Sequence, residues 1–123
     1  MSIYSIGVDI ADIDRVKRMV EQYGDRFIRK VFTEAEINYC SQKAAFAHSY
    51  AARFAAKEAV FKAAGTGLGL GMWWKDVEVV NTENGKPVIR LSGTTAKMLA
   101  GKRVHLSLSH SGNQAIAMVV IEG

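Results

Sequence analysis

The sixteen residues SYAARFAAKEAVFKAA, Ser49 to Ala64, contain neither glycine nor proline and are apolar almost all the way round a helix. Alanine loses no side-chain entropy in a helix, so this segment is a strong helix former. A helix without a polar face has to be enclosed, and the remaining elements of the chain must therefore be laid around it. The same helix carries Lys57, Glu58 and Lys62 into that enclosure. An ionised carboxylate at Glu58 is costly there unless a cation or several donors accompany it. Lys62 lies one turn later, so an internal i, i+4 ion pair is one reading and a functional site is the other.

The flanking sequence predicts what encloses the helix. SIYSIGVDI alternates and is β-branched, which predicts a first strand running through Gly7 and ending near Asp9. Ile10, Ile13, Val16, Val20 and Tyr23 follow at helical spacing, with Asp12 near the start and Gly24 as the stop. Asp25 is the expected N-cap of a second helix in DRFIRKVF. Thr33 and Glu36 form a capping box that opens a third helix reaching about Lys43. After the central helix, GTGLGLG is a connection, and Trp73 and Trp74 are expected to anchor the chain where it becomes regular again.

DVEVVNTENGKPVIRL predicts two strands around Asn84-Gly85, the preferred pair for a type I′ hairpin turn. TTAKMLAGK is a short helix. RVHLSLSHS is a strand with Val104, Leu106 and Leu108 on one side and His105, Ser107 and Ser109 on the other. QAIAMVVIE is apolar on both faces and is expected to be a central strand. Helices packed on a mostly antiparallel sheet make the class α+β, with 1–123 as one domain.

Composition excludes several functions. With 49% apolar and 23% charged residues the chain is globular rather than disordered. A single cysteine, Cys40, excludes an internal disulfide and a cysteine-rich metal site, and suits a reducing cytoplasm. There is neither a signal-peptide pattern nor an apolar run of membrane-spanning length, so no membrane association is expected. Between positions 15 and 30 six basic residues oppose two acidic ones, an excess of four that equals the net charge of the whole chain. Met19, Phe27 and Ile28 are interleaved with these charges, a combination suited to an acidic helical protein. The segment has no nucleic-acid reading motif and no aromatic ladder, so nucleic acid is not the expected partner.

The residues that could do chemistry are few. Asp9, at the expected strand end, is either a helix N-cap or a hard-metal ligand, and Glu58 could meet it if the buried helix packs on the first strand. Two carboxylates without a histidine or cysteine cluster would favour Mg²⁺. Lys57 and Lys62 with Gly65, Gly67, Gly69 and Gly71 could approach a phosphate, or the glycines could be a helix cap and connector. No P-loop is present, because the G-K-[ST] element is missing and the glycines follow a helix. Lys86 could add a phosphate contact. His110, between Ser109 and Ser111, lacks the elbow of a serine hydrolase and is better suited to hydrogen-bonding a ligand.

Taken together, IGVDIADIDRV, RFAAKEAVFKAAGTG, NGKP and SLSHS followed by AIAMVVIE resemble the holo-acyl-carrier-protein synthases, the short phosphopantetheinyl transferases. The resemblance covers essentially the whole chain. It implies the 4′-phosphopantetheinyl transferase fold and transfer of 4′-phosphopantetheine from coenzyme A to a serine of apo-acyl carrier protein, for fatty acid synthesis. It implies Mg²⁺ on Asp9 and Glu58, with Glu58 and Lys62 catalytic. Lys62, Gly65, Asn84, Gly85, Lys86, Pro87, His110 and Ser111 would contact coenzyme A. Arg15, Met19, Arg26 and Phe27 would receive the carrier protein. The family also implies a cytoplasmic homotrimer with sites between subunits. On the residues alone two other readings stay open: a non-catalytic basic module for an acidic protein or RNA, and a magnesium-dependent phosphohydrolase.

Overall fold

A computed structural model describes residues 2–65 and 71–123. The chain runs β1 (Ile3–Asp12), α1 (Ile13–Tyr23), α2 (Asp25–Val31), α3 (Glu34–Ser41), α4 (Phe46–Ala64), a 3₁₀ turn (Trp74–Asp76), β2 (Val77–Asn81), β3 (Pro87–Leu91), α5 (Gly93–Met98), β4 (Arg103–Ser111) and β5 (Gln114–Glu122). The α+β class is as expected. The strands form two antiparallel sheets, β1-β5-β4 and β2-β3, and the apolar strand β5 occupies the centre of the first.

The helix α4 lies across the inner face of the larger sheet. Ala51, Ala55, Ala56, Ala59 and Ala63 are all buried on it, as are Ala115, Ala117, Val119 and Ile121 on β5. Small side chains let helix and sheet approach closely, and Gly7 marks the tightest point. A Cβ there would fall inside the contact distance of the Ala59 carbonyl oxygen and 3.0 Å from the Ala63 Cβ. Glycine is thus required at position 7 by the proximity of α4.

Local sequence signals account for most element ends. Gly24, with φ 53°, ends α1 and passes its amide to the Val20 carbonyl. It also precedes α2, so Asp25 is the first residue of that helix and not its cap. Thr33 and Glu36 form the expected capping box of α3. Trp74 anchors the returning chain, stacked on Phe54 at 5.2 Å and edge-on to Phe61 at 5.6 Å, while Trp73 stays half-exposed.

Three expectations are corrected. The strand β1 continues to Asp12, which caps α1 by accepting the Arg15 amide at 3.0 Å. Ile10 is therefore an exposed strand residue and does not belong to the helical apolar stripe. The hairpin turn is not type I′, which needs positive φ at both Asn84 and Gly85. Only Gly85 is positive, at 84°; its amide donates to the Thr82 carbonyl, and the Thr82 amide bonds Lys86 at 2.9 Å. Finally, Lys57 is no phosphate contact. Its ammonium is completely buried and pairs with the equally buried Glu36 at 2.8 Å.

That pair is well satisfied. Lys57 also donates to the carbonyls of Trp74 and Val77, and Glu36 accepts the amides of Val79 and Thr33. Burial pulls the Lys57 ammonium below its ordinary pKa, and Glu36 opposes that pull. The cluster binds α3, α4 and β2 at one point. No helix among the described residues is long and apolar enough to cross a membrane.

Gly7→Ala is expected to destabilise the fold by at least ~1–3 kcal/mol, the usual cost of overpacking, since the obstructing atom is backbone. Urea unfolding of wild type and variant measures it. A variant as stable as wild type would show that α4 does not depend on this close approach.

Candidate active site

The strand β1 pairs with β5 in a register that sets Asp9 opposite Ala117, two residues beyond Gly7 and on the same helix-facing side. The carboxyl group of Asp9 thus meets α4 where Glu58 and Lys62 project, one turn apart. Lys62 donates to Asp9 at 2.6 Å and to the Val8 carbonyl at 3.3 Å. Glu58 faces Asp9 closely enough for the Asp9 carboxyl to act on its proton. The bridging lysine therefore pairs with Asp9 and not with Glu58, which settles the i, i+4 alternative. With Asp12 as the helix cap, Asp9 has no capping role.

Two neighbouring carboxyls cannot both ionise without cost. Burial pushes Glu58 above the ordinary carboxylate range, the charge and hydrogen bond of Asp9 push it further, and Lys62 and Arg15 pull it back. Asp9 in turn raises the Lys62 ammonium, which stays charged at neutral pH. A divalent cation between the two carboxyls would remove that cost. Among the described residues no third histidine, cysteine, aspartate or glutamate joins them. Such a two-carboxylate site fits Mg²⁺, which keeps waters and substrate phosphate oxygens in its shell.

A second group lies elsewhere. His110 shares its side of β4 with Val104, Leu106 and Leu108, and its ring meets His48 of α4 edge-on at 5.9 Å. His48 precedes Glu58 by ten residues, a helix distance of about 15 Å. A single chain therefore holds His110 and Ser111 apart from Asp9, Glu58 and Lys62. The turn from Asn84 to Pro87 is exposed at Asn84, Gly85 and Lys86, and Asn84 accepts from the Thr82 hydroxyl. Gly65 ends α4 in the left-handed region at φ 81°, beside Lys62 in sequence. Gly67 and Gly69 lie outside the described residues.

Of the basic face, Arg15 and Arg26 are exposed and Met19 is half-buried. Phe27 is buried and packs against Phe32 and Phe54, supporting the patch from beneath. Arg15, Met19, Phe54 and Glu58 share the wall of a cavity of about 80 Å³. The basic helix thus reaches the carboxylate site directly.

The 4′-phosphopantetheinyl transferase superfamily matches residues 5–119. The chain belongs to that superfamily. The holo-[acyl-carrier-protein] synthase of Geobacter sulfurreducens is 48% identical over 123 residues, covering 98% of each chain. That of Methylobacterium nodulans is 49% identical over 127 residues, covering 98% of this chain and 96% of the relative. The crystal structure of the Neisseria meningitidis synthase has a TM-score of 0.89 at 33% identity and covers 98% and 99% of the two chains. A Helicobacter pylori synthase solved in complex with coenzyme A has a TM-score of 0.85 at 31% identity, covering 95% and 99%. The transferase is an enzyme with holo-acyl-carrier-protein synthase activity.

Two features of this transferase escaped the sequence. Arg53 is buried, stacks on Tyr39 at 4.3 Å and donates to Asn81 at 2.7 Å, yet among the described residues its Nε has no partner. An arginine among the alanines of α4 is the available signal. Glu36, seen only as a capping residue, also holds Lys57. Nothing in spacing announces a contact of that kind.

The raised Glu58 group has a consequence for stability. Its folded state holds the proton more tightly than the unfolded chain, so its contribution is fully present below about pH 4.5 and is lost as pH rises through the raised value. Glu58→Gln is expected to raise the melting temperature of the metal-free protein at neutral pH and to flatten this pH dependence. Thermal unfolding in a chelator across pH measures both; a lowered melting temperature at neutral pH would contradict the assignment.

Proposed function

We propose that the transferase moves 4′-phosphopantetheine from coenzyme A to a serine of apo-acyl carrier protein, in the presence of Mg²⁺, with release of adenosine 3′,5′-bisphosphate. The observation that carries this reading is the Asp9-Glu58 contact with Lys62 at 2.6 Å from Asp9. It is a preorganised set of charges for a phosphate, on a chain whose structural relatives include coenzyme A complexes.

Asp9 and Glu58 would hold Mg²⁺, which supplies neutralisation of the pyrophosphate charge when bound. Lys62 is fully protonated and turns from Asp9 to a phosphate oxygen, where it stabilises the charge growing on the departing adenosine bisphosphate. The serine oxygen attacks the phosphorus of the pantetheine phosphate. The bond from that phosphorus to the bridging oxygen breaks, and the electron pair leaves with adenosine 3′,5′-bisphosphate. Glu58, once ionised, takes the serine proton directly or through one water, and its raised pKa makes it a stronger base than an ordinary carboxylate. His110, Ser111, Gly65 and the turn of Asn84, Gly85, Lys86 and Pro87 contact the nucleotide portion. Arg15, Met19 and Arg26, with Phe27 behind them, receive the acidic carrier.

The working form is a homotrimer with sites between subunits, in the cytoplasm and in the service of fatty acid synthesis. Two observations support the assembly. The outer face of the larger sheet exposes Ile6, Val8 and Ile10 by more than half, with Met118 opposite Val8. An apolar face of that kind calls for a cover. A second copy supplies that cover, because His110 and the carboxylate pair are too far apart in one chain and a neighbouring subunit can bring them together.

Incubation with coenzyme A, Mg²⁺ and apo-carrier, followed by mass spectrometry of the carrier, is expected to show the phosphopantetheine gain. The gain disappears with a chelator or with Glu58→Gln. No gain, or a gain indifferent to divalent metal, would sink the reading. Met118→Lys is expected to elute as a monomer in light scattering and to lose most activity while keeping its helical circular dichroism. A fully active monomer would refute the shared site.

A further inference from the structure

The turn between β4 and β5 reaches into the first turn of α1 through one residue. Asn113 accepts the Ile13 amide at its backbone oxygen (2.8 Å) and the Asp14 amide at Oδ1 (3.0 Å). Its Nδ2 donates to Asp12 Oδ1 at 2.6 Å, the same oxygen that accepts the Arg15 amide at 3.0 Å. A helix start leaves amides without intrahelical partners, and here Asp12 and Asn113 satisfy those of Ile13, Asp14 and Arg15. This clasp joins residues 99 and 101 positions apart.

The clasp determines where charge is available. Asp12 lies one turn before Arg15 and Asp14 one turn before Arg18, near enough to neutralise them. Asp12 is instead engaged by two donors, and among the described residues no ion pair involves Arg15 or Arg18. Arg15 meanwhile lines the cavity it shares with Glu58, and its charge is felt at that carboxyl.

We propose that Asn113 is a positioning residue for carrier docking: by holding the first turn of α1 and occupying Asp12, it keeps the Arg15 guanidinium unpaired beside Glu58, where the acidic carrier arrives. The assignment rests on the transferase reading above. Asn113 touches neither substrate; it acts through Asp12 and Arg15. Without it, Asp12 keeps only the Arg15 amide and can swing onto the Arg15 guanidinium, masking the charge that the carrier would meet.

Steady-state kinetics of full-length Asn113→Ala with coenzyme A and apo-carrier, at low and high salt, test this. The carrier KM is expected to rise about five- to tenfold, within the range for losing a helix cap. The coenzyme A KM, and kcat at saturating carrier, are expected to stay within about twofold. The salt dependence of the carrier KM flattens, because a masked Arg15 no longer contributes. Adding Asp12→Asn to the Asn113→Ala background removes the masking charge and restores carrier affinity in part. Thr33→Ala, which breaks the α3 capping box, is the control for lost stability and leaves the carrier KM unchanged.

An unaltered carrier KM in Asn113→Ala, a parallel rise in both substrate KM values, an equal effect of Thr33→Ala, or no recovery in the double variant overturns the assignment. Failure of the wild type to modify the carrier would instead overturn the transferase reading.

Discussion

The separation between α4 and β1 at Gly7 is the constraint from which the site follows. Only a side chain of one hydrogen fits against the Ala59 carbonyl, and the alanines of α4 keep the opposing surface equally low. Two residues farther along the same strand face, Asp9 inherits that short separation and meets Glu58 and Lys62 across it. A bulkier interface would hold the two carboxyls too far apart to share a proton or a cation. Close packing, ordinarily a matter of stability, here determines the chemistry.

The central helix carries two kinds of buried electrostatics, and they are built differently. Lys57 and Glu36 are complete: each charge has its counter-charge, and the carbonyls of Trp74 and Val77 and the amides of Thr33 and Val79 take the remaining hydrogen-bonding capacity. Removing one partner of such a pair leaves an isolated charge. Asp9 and Glu58 are incomplete, two neighbouring acids with one lysine between them and solvent, and burial together with the Asp9 charge holds the Glu58 carboxyl above its ordinary range. An arrangement that costs the apo-protein something has room to gain from a ligand. Adjacent residues in sequence, Lys57 and Glu58, thus belong to opposite regimes.

Much of this was legible in the sequence where the signal is local. Gly24 as a helix stop, the Thr33-Glu36 box, the enclosed helix and the central strand β5 all rest on patterns within one element. What was not legible depends on distant partners. The strand β1 runs on to Asp12 because β5 pairs with it as far as Gln114, and the α1 cap is then completed by Asn113. The start of α4 at Phe46 carries no side-chain cap, so no residue announced it. At the hairpin, Asn84 keeps a negative φ because its side chain serves Thr82 and Lys86 in a longer loop. The carboxylate pair was readable as two candidates; that they touch, and that Lys62 chooses Asp9, is information held by the strand register.

A helix that is apolar nearly all round has no preferred azimuth. Rotated about its own axis by one residue, roughly 100°, α4 would present another set of alanines to the sheet at little hydrophobic penalty. What such a rotation would disturb is Lys57, whose ammonium would leave Glu36 and two carbonyl acceptors for an apolar wall. The buried pair is in this sense a key cut into a smooth cylinder. Together with the close approach at Gly7, it holds α4 at one angular setting, the one in which Glu58 faces Asp9.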